Sequence, residues 1–124
     1  MTEKRQYDIK MEDRDGYLYV VVGGDRLTAP ISALYWNEIA EHCMANRCMR
    51  ILIVKEFVES VGPQDMLQMA MNLGNLLPHR RIAFIDRYGH DDINELGKRL
   101  ARNREVVMRI FEGTAAAEHW LLAN

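Results

Sequence analysis

Short apolar runs alternate along this chain with amphipathic stretches of helical length. The runs occupy residues 17–22, 51–54, 82–85 and 106–111 and consist mainly of β-branched, other aliphatic and aromatic side chains. Runs of this kind, separated by about ten to fifteen residues of helical period, are typical of βαβ units, because parallel strands must be joined by a crossover connection. The pattern therefore predicts an α/β fold.

The predicted order of elements is ββαβαβαβα, a mixed five-stranded sheet with four helices. It opens with a hairpin, because the polar turn at residues 13–16 ends in a glycine that can adopt positive φ. The predicted strands are residues 7–12, 17–23, 50–57, 81–86 and 105–111. The predicted helices are residues 31–46, a segment from Pro63 that Pro78 stops, a segment after Asp92 with a buried line of Ile93, Leu96, Gly97, Leu100 and Ala101, and a last segment from Thr114 that carries Trp120 and Leu121. Residues 23–30 are expected to form a loop.

Length and charge restrict the class of protein. A chain of 124 residues without repeats or linkers is expected to form one domain, residues 1–124, that buries roughly two-thirds of its unfolded surface. The net charge of −2 gives no overall attraction to nucleic acid or anionic lipid. No apolar segment reaches the ~20 residues that span a bilayer, and the first six residues are not followed by the apolar region of a signal peptide. We expect a soluble, cytoplasmic domain.

The two cysteines, Cys43 and Cys48, lie five positions apart at the end of a predicted helix. Two cysteines are too few for the framework of a disulfide-rich secreted domain, so both are expected to be reduced thiols, with Cys43 as a small buried apolar side chain. His42 is adjacent to Cys43, but neighbouring helical residues point about 100° apart and no second ligand pair follows. We therefore expect no metal and no cofactor.

The hairpin start, the element order and two segments resemble the STAS superfamily, and in particular the group of the bacterial sporulation anti-sigma factor antagonist. The two segments are residues 81–86, Arg-Ile-Ala-Phe-Ile-Asp, and residues 109–121, an apolar strand that ends in Phe111 and continues into a helix with alanines and Trp-Leu. The resemblance implies a mixed sheet with helices mainly against one face. It also implies a non-enzymatic domain that switches partners or senses a small ligand.

In this family a switch motif similar to Asp-Ser-Ser-Gly lies between the third strand and the second helix. The corresponding stretch here is Glu59-Ser60-Val61-Gly62, so the resemblance implies Ser60 as the phosphate acceptor. A phosphate at a helix N-terminus meets unpaired N–H groups and a partial positive charge. The alternative is that Ser60 only caps or precedes that helix.

The second helix contains more apolar residues than one buried face needs. Its core stripe is expected to consist of Met66, Met69, Ala70, Leu73 and Leu77. Leu67 and Met71 fall on a flank about 100° away, and Gly74 continues that line with a gap where another surface can approach. Methionine side chains adapt to differently shaped partners, so this flank favours a protein partner, self-association or a lipid-like ligand. Alternatively, the helix is clamped between the sheet and a neighbouring helix.

Two charged clusters have simple structural explanations. The basic cluster is Arg87, Lys98, Arg99, Arg102, Arg104 and Arg109. Positive charge near a helix C-terminus is favoured by the helix dipole, and the chain lacks an aromatic stacking platform, so we expect no nucleic-acid partner. In the same way, acids at the helix start explain His90-Asp91-Asp92. An enzyme would require a deep polar pocket around Asp86, His90 and Asp91.

The most favoured function is therefore a regulatory or ligand-binding module without catalytic residues. Its binding surface is expected at the carboxyl ends of neighbouring parallel strands, where α/β sheets place their ligands. The surface residues are Glu59, Gly62, Leu67, Met71, Arg87, His90 and Asp91. A phosphorylation-switched antagonist with Ser60 as acceptor and a small enzyme of unknown class remain the alternatives.

Overall fold

The computed structural model describes residues 6–123 and contains the predicted order of elements. The strands are β1 (Asp8–Arg14), β2 (Tyr17–Arg26), β3 (Arg50–Glu59), β4 (Arg81–Asp86) and β5 (Val107–Ile110). The helices are α1 (Ala29–Asn46), α2 (Pro63–Leu76), α3 (Asp91–Arg102) and α4 (Thr114–Leu122). No helix within this part of the chain combines the length and the apolar character needed to cross a membrane.

The five strands form one sheet in the order β1-β2-β3-β4-β5. The β1-β2 pair is antiparallel, and each later pair is parallel. Crossovers between parallel strands have the same hand in nearly all proteins. Each parallel strand lies on the same side of the strand before it. Crossovers of one hand therefore place α1, α2 and α3 on the same face of the sheet.

The helices divide the core into two layers. Side chains of α1, α2 and α3 pack with one face of the sheet, whereas Ala117 and Leu121 of α4 pack with the other face. The central strands β3 and β4 contribute alternate residues to both layers: Ile51 and Ile53 point to the first layer, and Leu52 and Val54 to the second. Coverage on both faces explains why these strands are almost continuously apolar. The prediction of a mixed sheet with helices mainly on one face is confirmed.

The hairpin turn is shorter than predicted. Residues 13–16 were expected to form the turn, but Asp13 and Arg14 pair with β2, and Arg14 lies opposite Tyr17. Only Asp15 and Gly16 remain in the turn, and Gly16 has a φ of 90°. Two-residue hairpin turns match the twist of the flanking strands when a glycine supplies positive φ. The polar character of residues 13 and 14 reflects an exposed edge strand.

The predicted loop at residues 23–30 is also wrong in its first half. Gly23 and Gly24 continue β2 and pair with Glu56 and Phe57 of β3. A Cβ at Gly23 would lie 2.7 Å from the carbonyl oxygen of Glu56, so this position requires glycine for close approach of the backbones. The glycine pair therefore extends the sheet instead of ending it.

The prediction of reduced cysteines is wrong in this structure: Cys43 and Cys48 form a disulfide bond. The helix α1 ends at Arg47, which adopts the left-handed conformation with a φ of 54°. The amides of Arg47 and Cys48 both donate to the carbonyl oxygen of Cys43. This closed turn brings the two Cα atoms to 4.7 Å, a normal separation for a disulfide.

One hydrogen bond ties the hairpin to α4. The hydroxyl of Tyr17 donates to Glu118 Oε2 over 2.6 Å, and burial together with this bond raises the pKa of Tyr17. A raised pKa in the folded state means that the unfolded chain loses this proton first. The stabilisation is thus complete below about pH 10, the pKa of an unperturbed tyrosine, and is lost as the pH rises above it.

We therefore expect the unfolding free energy of the native protein to fall above about pH 10 more steeply than that of Tyr17→Phe. At neutral pH the variant loses about 1 kcal/mol, the contribution of one hydrogen bond. Urea unfolding at pH 7, 9, 10 and 11 measures both quantities. Equal pH dependence of the two proteins would contradict the assignment. Tyr88→Phe serves as control, because Tyr88 is 55% exposed.

Candidate functional site

A partly enclosed cavity lies between α2, α3 and the sheet. Its volume is about 40 Å³. Most of its lining atoms are apolar and belong to methionine, aromatic and small side chains. The lining residues are Trp36, Lys55, Met66, Met69, Ala70, Leu73, Phe84, Asn94, Gly97, Ala101 and Met108. The cavity thus lies behind the core stripe of α2.

Small residues and methionine together shape this cavity. All five predicted core residues of α2 are buried. Met66 packs on Gly97 of α3. A Cβ at Gly97 would lie only 2.8 Å from Met66 Sδ. The absence of a side chain at Gly97 lets the two helices approach, and the unbranched methionine fills the remaining space irregularly.

Lys55 is the charged residue of the cavity. Along β3 it has the same orientation as Ile53 and Phe57, so its side chain enters the layer between the sheet and the helices. It is only 8% exposed. The ammonium nitrogen lies 4.9 Å from the ring centroid of Phe84 and 5.7 Å from that of Tyr35, distances at which aromatic faces attract a cation.

A hydrogen-bonded cluster around Asp86 forms the β4-α3 turn. Its carboxylate accepts from the amide of Tyr88 at 2.9 Å, from His90 Nδ1 at 2.8 Å and from Asn94 Nδ2 at 2.9 Å. Asn94 Nδ2 also donates to the carbonyl oxygen of Gly89 at 2.7 Å. Asn94 is buried and lines the cavity, so this cluster fixes one of the cavity walls.

His90 connects this turn to the neighbouring strand. It has a φ of 51°, and its Nε2 lies 3.1 Å from the carbonyl oxygen of Val58 on β3. Both ring nitrogens therefore face oxygen atoms that accept hydrogen bonds, the carboxylate of Asp86 and the carbonyl of Val58. The hydrogen bonds of Asp86 and His90 are thus made within the turn and to β3. Together these hydrogen bonds connect β3, β4 and the start of α3.

Four of the predicted surface residues lie where β3 and β4 lead into α2 and α3. Glu59 ends β3 and pairs with Arg26 at 3.0 Å, and Gly62 is the N-cap of α2. Arg87 is 3.8 Å from Glu56, and Asp91 begins α3 as an exposed acid in its first turn. These residues lie at the carboxyl end of β3 and between β4 and the first residue of α3, and whether they bind a partner stays a prediction. They surround that edge of the sheet but do not line the cavity.

The flank of α2 is exposed as predicted, with Leu67 at 42% and Met71 at 47%. The predicted gap at Gly74 is wrong, because the side chain of Arg104 occupies it: a Cβ at Gly74 would lie 2.7 Å from Arg104 Cβ. Arg104 also donates to the carbonyl oxygen of Leu100 at 3.2 Å. One member of the basic cluster therefore has a packing role within the chain.

Ser60 lies between β3 and α2 and is half-buried. Gly62 caps the helix, and no side chain donates or accepts a hydrogen bond at that cap. Ser60 thus lies two positions before the N-cap residue and does not cap the helix. Asp65 supplies negative charge in the first turn of α2. Whether Ser60 accepts a phosphate stays a prediction.

The line predicted to be buried in α3 is fully buried only at Ala101, and Gly97 is half-buried like the three remaining residues. Ala101 is buried, while Ile93, Leu96 and Leu100 are half-buried and pack against the core edge. Asn94, a polar residue outside the predicted line, is buried instead. Its side chain compensates for burial by its two hydrogen bonds to the β4-α3 turn.

None of the eleven residues that line the cavity is among the predicted binding-surface residues, and its two polar members, Lys55 and Asn94, were not singled out at all. The signal for Lys55 was the strand alternation, because a residue two positions from both Ile53 and Phe57 points to the same layer. Asn94 gave no comparable signal, since its burial depends on the turn that Asp86 organises. Within residues 6–123, no group of three His, Cys, Asp or Glu side chains is arranged to hold a metal ion, and His42 pairs with Asp13 at 2.8 Å.

Comparisons with known proteins bear on the fold. No family model and no curated protein matches the sequence. A solved structure does match: an uncharacterized protein from the DUF3478 family with a SpoIIAA-like fold, from Shewanella loihica PV-4. The two structures agree with a TM-score of 0.56 and 18% sequence identity, over 98% of this chain and 98% of that chain. The predicted resemblance is confirmed for the architecture, and this protein has a SpoIIAA-like fold.

Proposed function

We propose that this protein is a non-catalytic binding module that holds a small apolar molecule in the cavity between α2, α3 and the sheet. The observation that carries the proposal is the cavity itself, which lies behind α2 and is walled mainly by apolar side chains. Pockets for small molecules are typically concave and apolar, with few polar groups that orient the ligand. Lys55 and Asn94 are such groups here.

Three methionines give the cavity an adaptable wall. Met66, Met69 and Met108 line it, and unbranched side chains with three rotatable bonds change shape at low cost. A volume of about 40 Å³ holds roughly three water-sized spheres. A ligand larger than this enters only when methionine side chains move aside. Branched side chains in the same positions would move less easily.

The methionines also provide the test. In protein labelled with ¹³C at the methionine methyl groups, titration with 1-hexanol is expected to shift the resonances of Met66, Met69 and Met108. Met44 and Met71 are internal controls, because they are 75% and 47% exposed and lie outside the cavity. Shifts confined to Met44 and Met71 would place binding on the surface and contradict the proposal.

A cavity-filling variant sharpens this test. Ala70 is buried and lines the cavity, so Ala70→Leu fills it and is expected to weaken hexanol binding at least about tenfold. Overpacking lowers stability by about 1–3 kcal/mol, which circular dichroism monitors. The matched control is Ala115→Leu on the exposed surface of α4, which leaves binding unchanged.

The exposed flank of α2 favours a second function, a docking surface for a protein partner or a second copy. Leu67 and Met71 present apolar side chains beside each other to solvent. Sedimentation velocity tests self-association: a native dimer is expected to become monomeric in Leu67→Glu, while Gln68→Glu leaves it intact.

Phosphorylation of Ser60 as a partner switch is tested by mass spectrometry after incubation with a cognate kinase, with Ser60→Ala as control.

A further inference from the structure

We propose that the ligand of the cavity carries a carboxylate, which binds the ammonium group of Lys55. This inference rests on the proposed function, because it names the chemical class of the molecule that the same cavity takes. It predicts a small amphiphilic acid with a short alkyl chain, in preference to an alcohol or a hydrocarbon of equal length.

The position of the ammonium group is the first support. Lys55 is more than nine-tenths buried and lines the cavity. Within residues 6–123 its nitrogen has no hydrogen-bond acceptor and no ion-pair partner. The surface lysine Lys98, by contrast, lies 3.0 Å from Glu95. The ammonium nitrogen itself is not among the fully buried polar atoms, so a molecule in the cavity can reach it and supply the missing acceptor.

The surrounding rings do not replace a hydrogen-bond acceptor. Phe84 and Tyr35 attract the cation with their faces, but they offer no acceptors at these distances for its three N–H groups. The hydroxyl of Tyr35 is also buried and, among the residues described, has no hydrogen-bond partner. Two polar groups in the same aromatic surroundings thus have unused hydrogen-bonding capacity.

A carboxylate supplies what this environment lacks. It brings an opposite charge and acceptor oxygens, and hydrogen bonds between charged groups are shorter and stronger than neutral ones. The alkyl chain of the same molecule contacts the apolar wall. The cavity volume suits the carboxylate and the first carbon atoms, and a longer chain requires Met66 or Met69 to move.

The experiment compares hexanoate with 1-hexanol, which differ in the charged group and share the chain length. We expect native protein to bind hexanoate about tenfold more tightly than hexanol in the methionine-methyl titration. In Lys55→Met the preference is lost while hexanol still binds. Lys98→Met is the control for a general loss of positive charge and keeps the preference.

Each outcome decides between the two proposals. If native protein binds both molecules equally, or if Lys55→Met keeps the preference, the carboxylate inference is overturned and the apolar site stands. If neither molecule shifts the cavity methionines, both proposals fail. Should Lys55→Met not fold, the ¹³C resonance of Lys55 Cε in native protein replaces it: hexanoate is expected to shift this resonance strongly, and an equal shift with hexanol overturns the inference.

Discussion

Asp86→Ala is expected to lower the free energy of unfolding by about 3 kcal/mol. The carboxylate is nearly buried and accepts hydrogen bonds from Tyr88, His90 and Asn94. Alanine leaves these donors without their shared acceptor, and the loss is most unfavourable for Asn94, because a buried donor that loses its acceptor cannot bond to water instead. Urea unfolding at pH 7 measures the loss.

Two variants separate this network from general effects of charge at the start of α3. Asp86→Asn keeps one carbonyl oxygen as an acceptor, so it is expected to lose less stability than the alanine variant. Asp91→Ala removes an exposed acid that acts only through the helix dipole, and its loss stays below about 1 kcal/mol. Similar losses for Asp86→Ala and Asp91→Ala would show that the hydrogen bonds around Asp86 contribute little.

The Asp86 cluster also bears on the proposed site. Asn94 is held between Asp86 and the carbonyl oxygen of Gly89, and it lines the cavity. Release of its amide in Asp86→Ala changes the polar part of the cavity wall. Asp86 and His90, two of the residues around which an enzyme would require a polar pocket, are thus hydrogen-bonded to each other, and Asp86 also holds one residue of the cavity wall.

Reduction of the disulfide between Cys43 and Cys48 is expected to lower the unfolding free energy by about 2 kcal/mol, because the bond closes a loop of only about six residues. The closed loop restricts the unfolded chain, and a short loop restricts it less than a long one. Urea unfolding with and without dithiothreitol measures the difference.

The double variant Cys43→Ala with Cys48→Ala is the control, because its stability must be insensitive to dithiothreitol. Mass spectrometry of the purified native protein gives a direct check, since the bonded form is lighter by two hydrogen atoms and does not react with iodoacetamide. A native protein that alkylates at both positions, with an unfolding midpoint unaffected by reductant, would contradict the bond.

The cysteine pair shows where sequence reasoning fails. In a continuing helix, residues five apart are separated by a rise of about 7.5 Å, which is too far for a disulfide. The helix instead ends at Arg47 in the left-handed conformation, which folds Cys48 back beside Cys43. A single backbone conformation, which the residue type does not reveal, decides the chemistry of both thiols.

Strand positions were predictable to different degrees for a similar reason. Strand β4 begins and ends as predicted, because Pro78 and the polar turn after Asp86 bracket a short apolar run. The end of β2, residues 24–26, was misassigned to a loop, because its strand pairing depends on the length of β3, which is distant in sequence. Local patterns identify a strand, and its partner determines how far it extends.

The α/β class, the element order and the core stripe of α2 follow from the sequence alone. They depend on the period of apolar residues over short stretches. A helix or strand that buries one face needs this period whatever its position in the fold. The unpaired ammonium of Lys55, the Asp86 cluster and the filling of Gly74 by Arg104 were decided only by the tertiary structure. These contacts join residues that are distant along the chain, and strand register and helix packing, which no local pattern contains, set their distances.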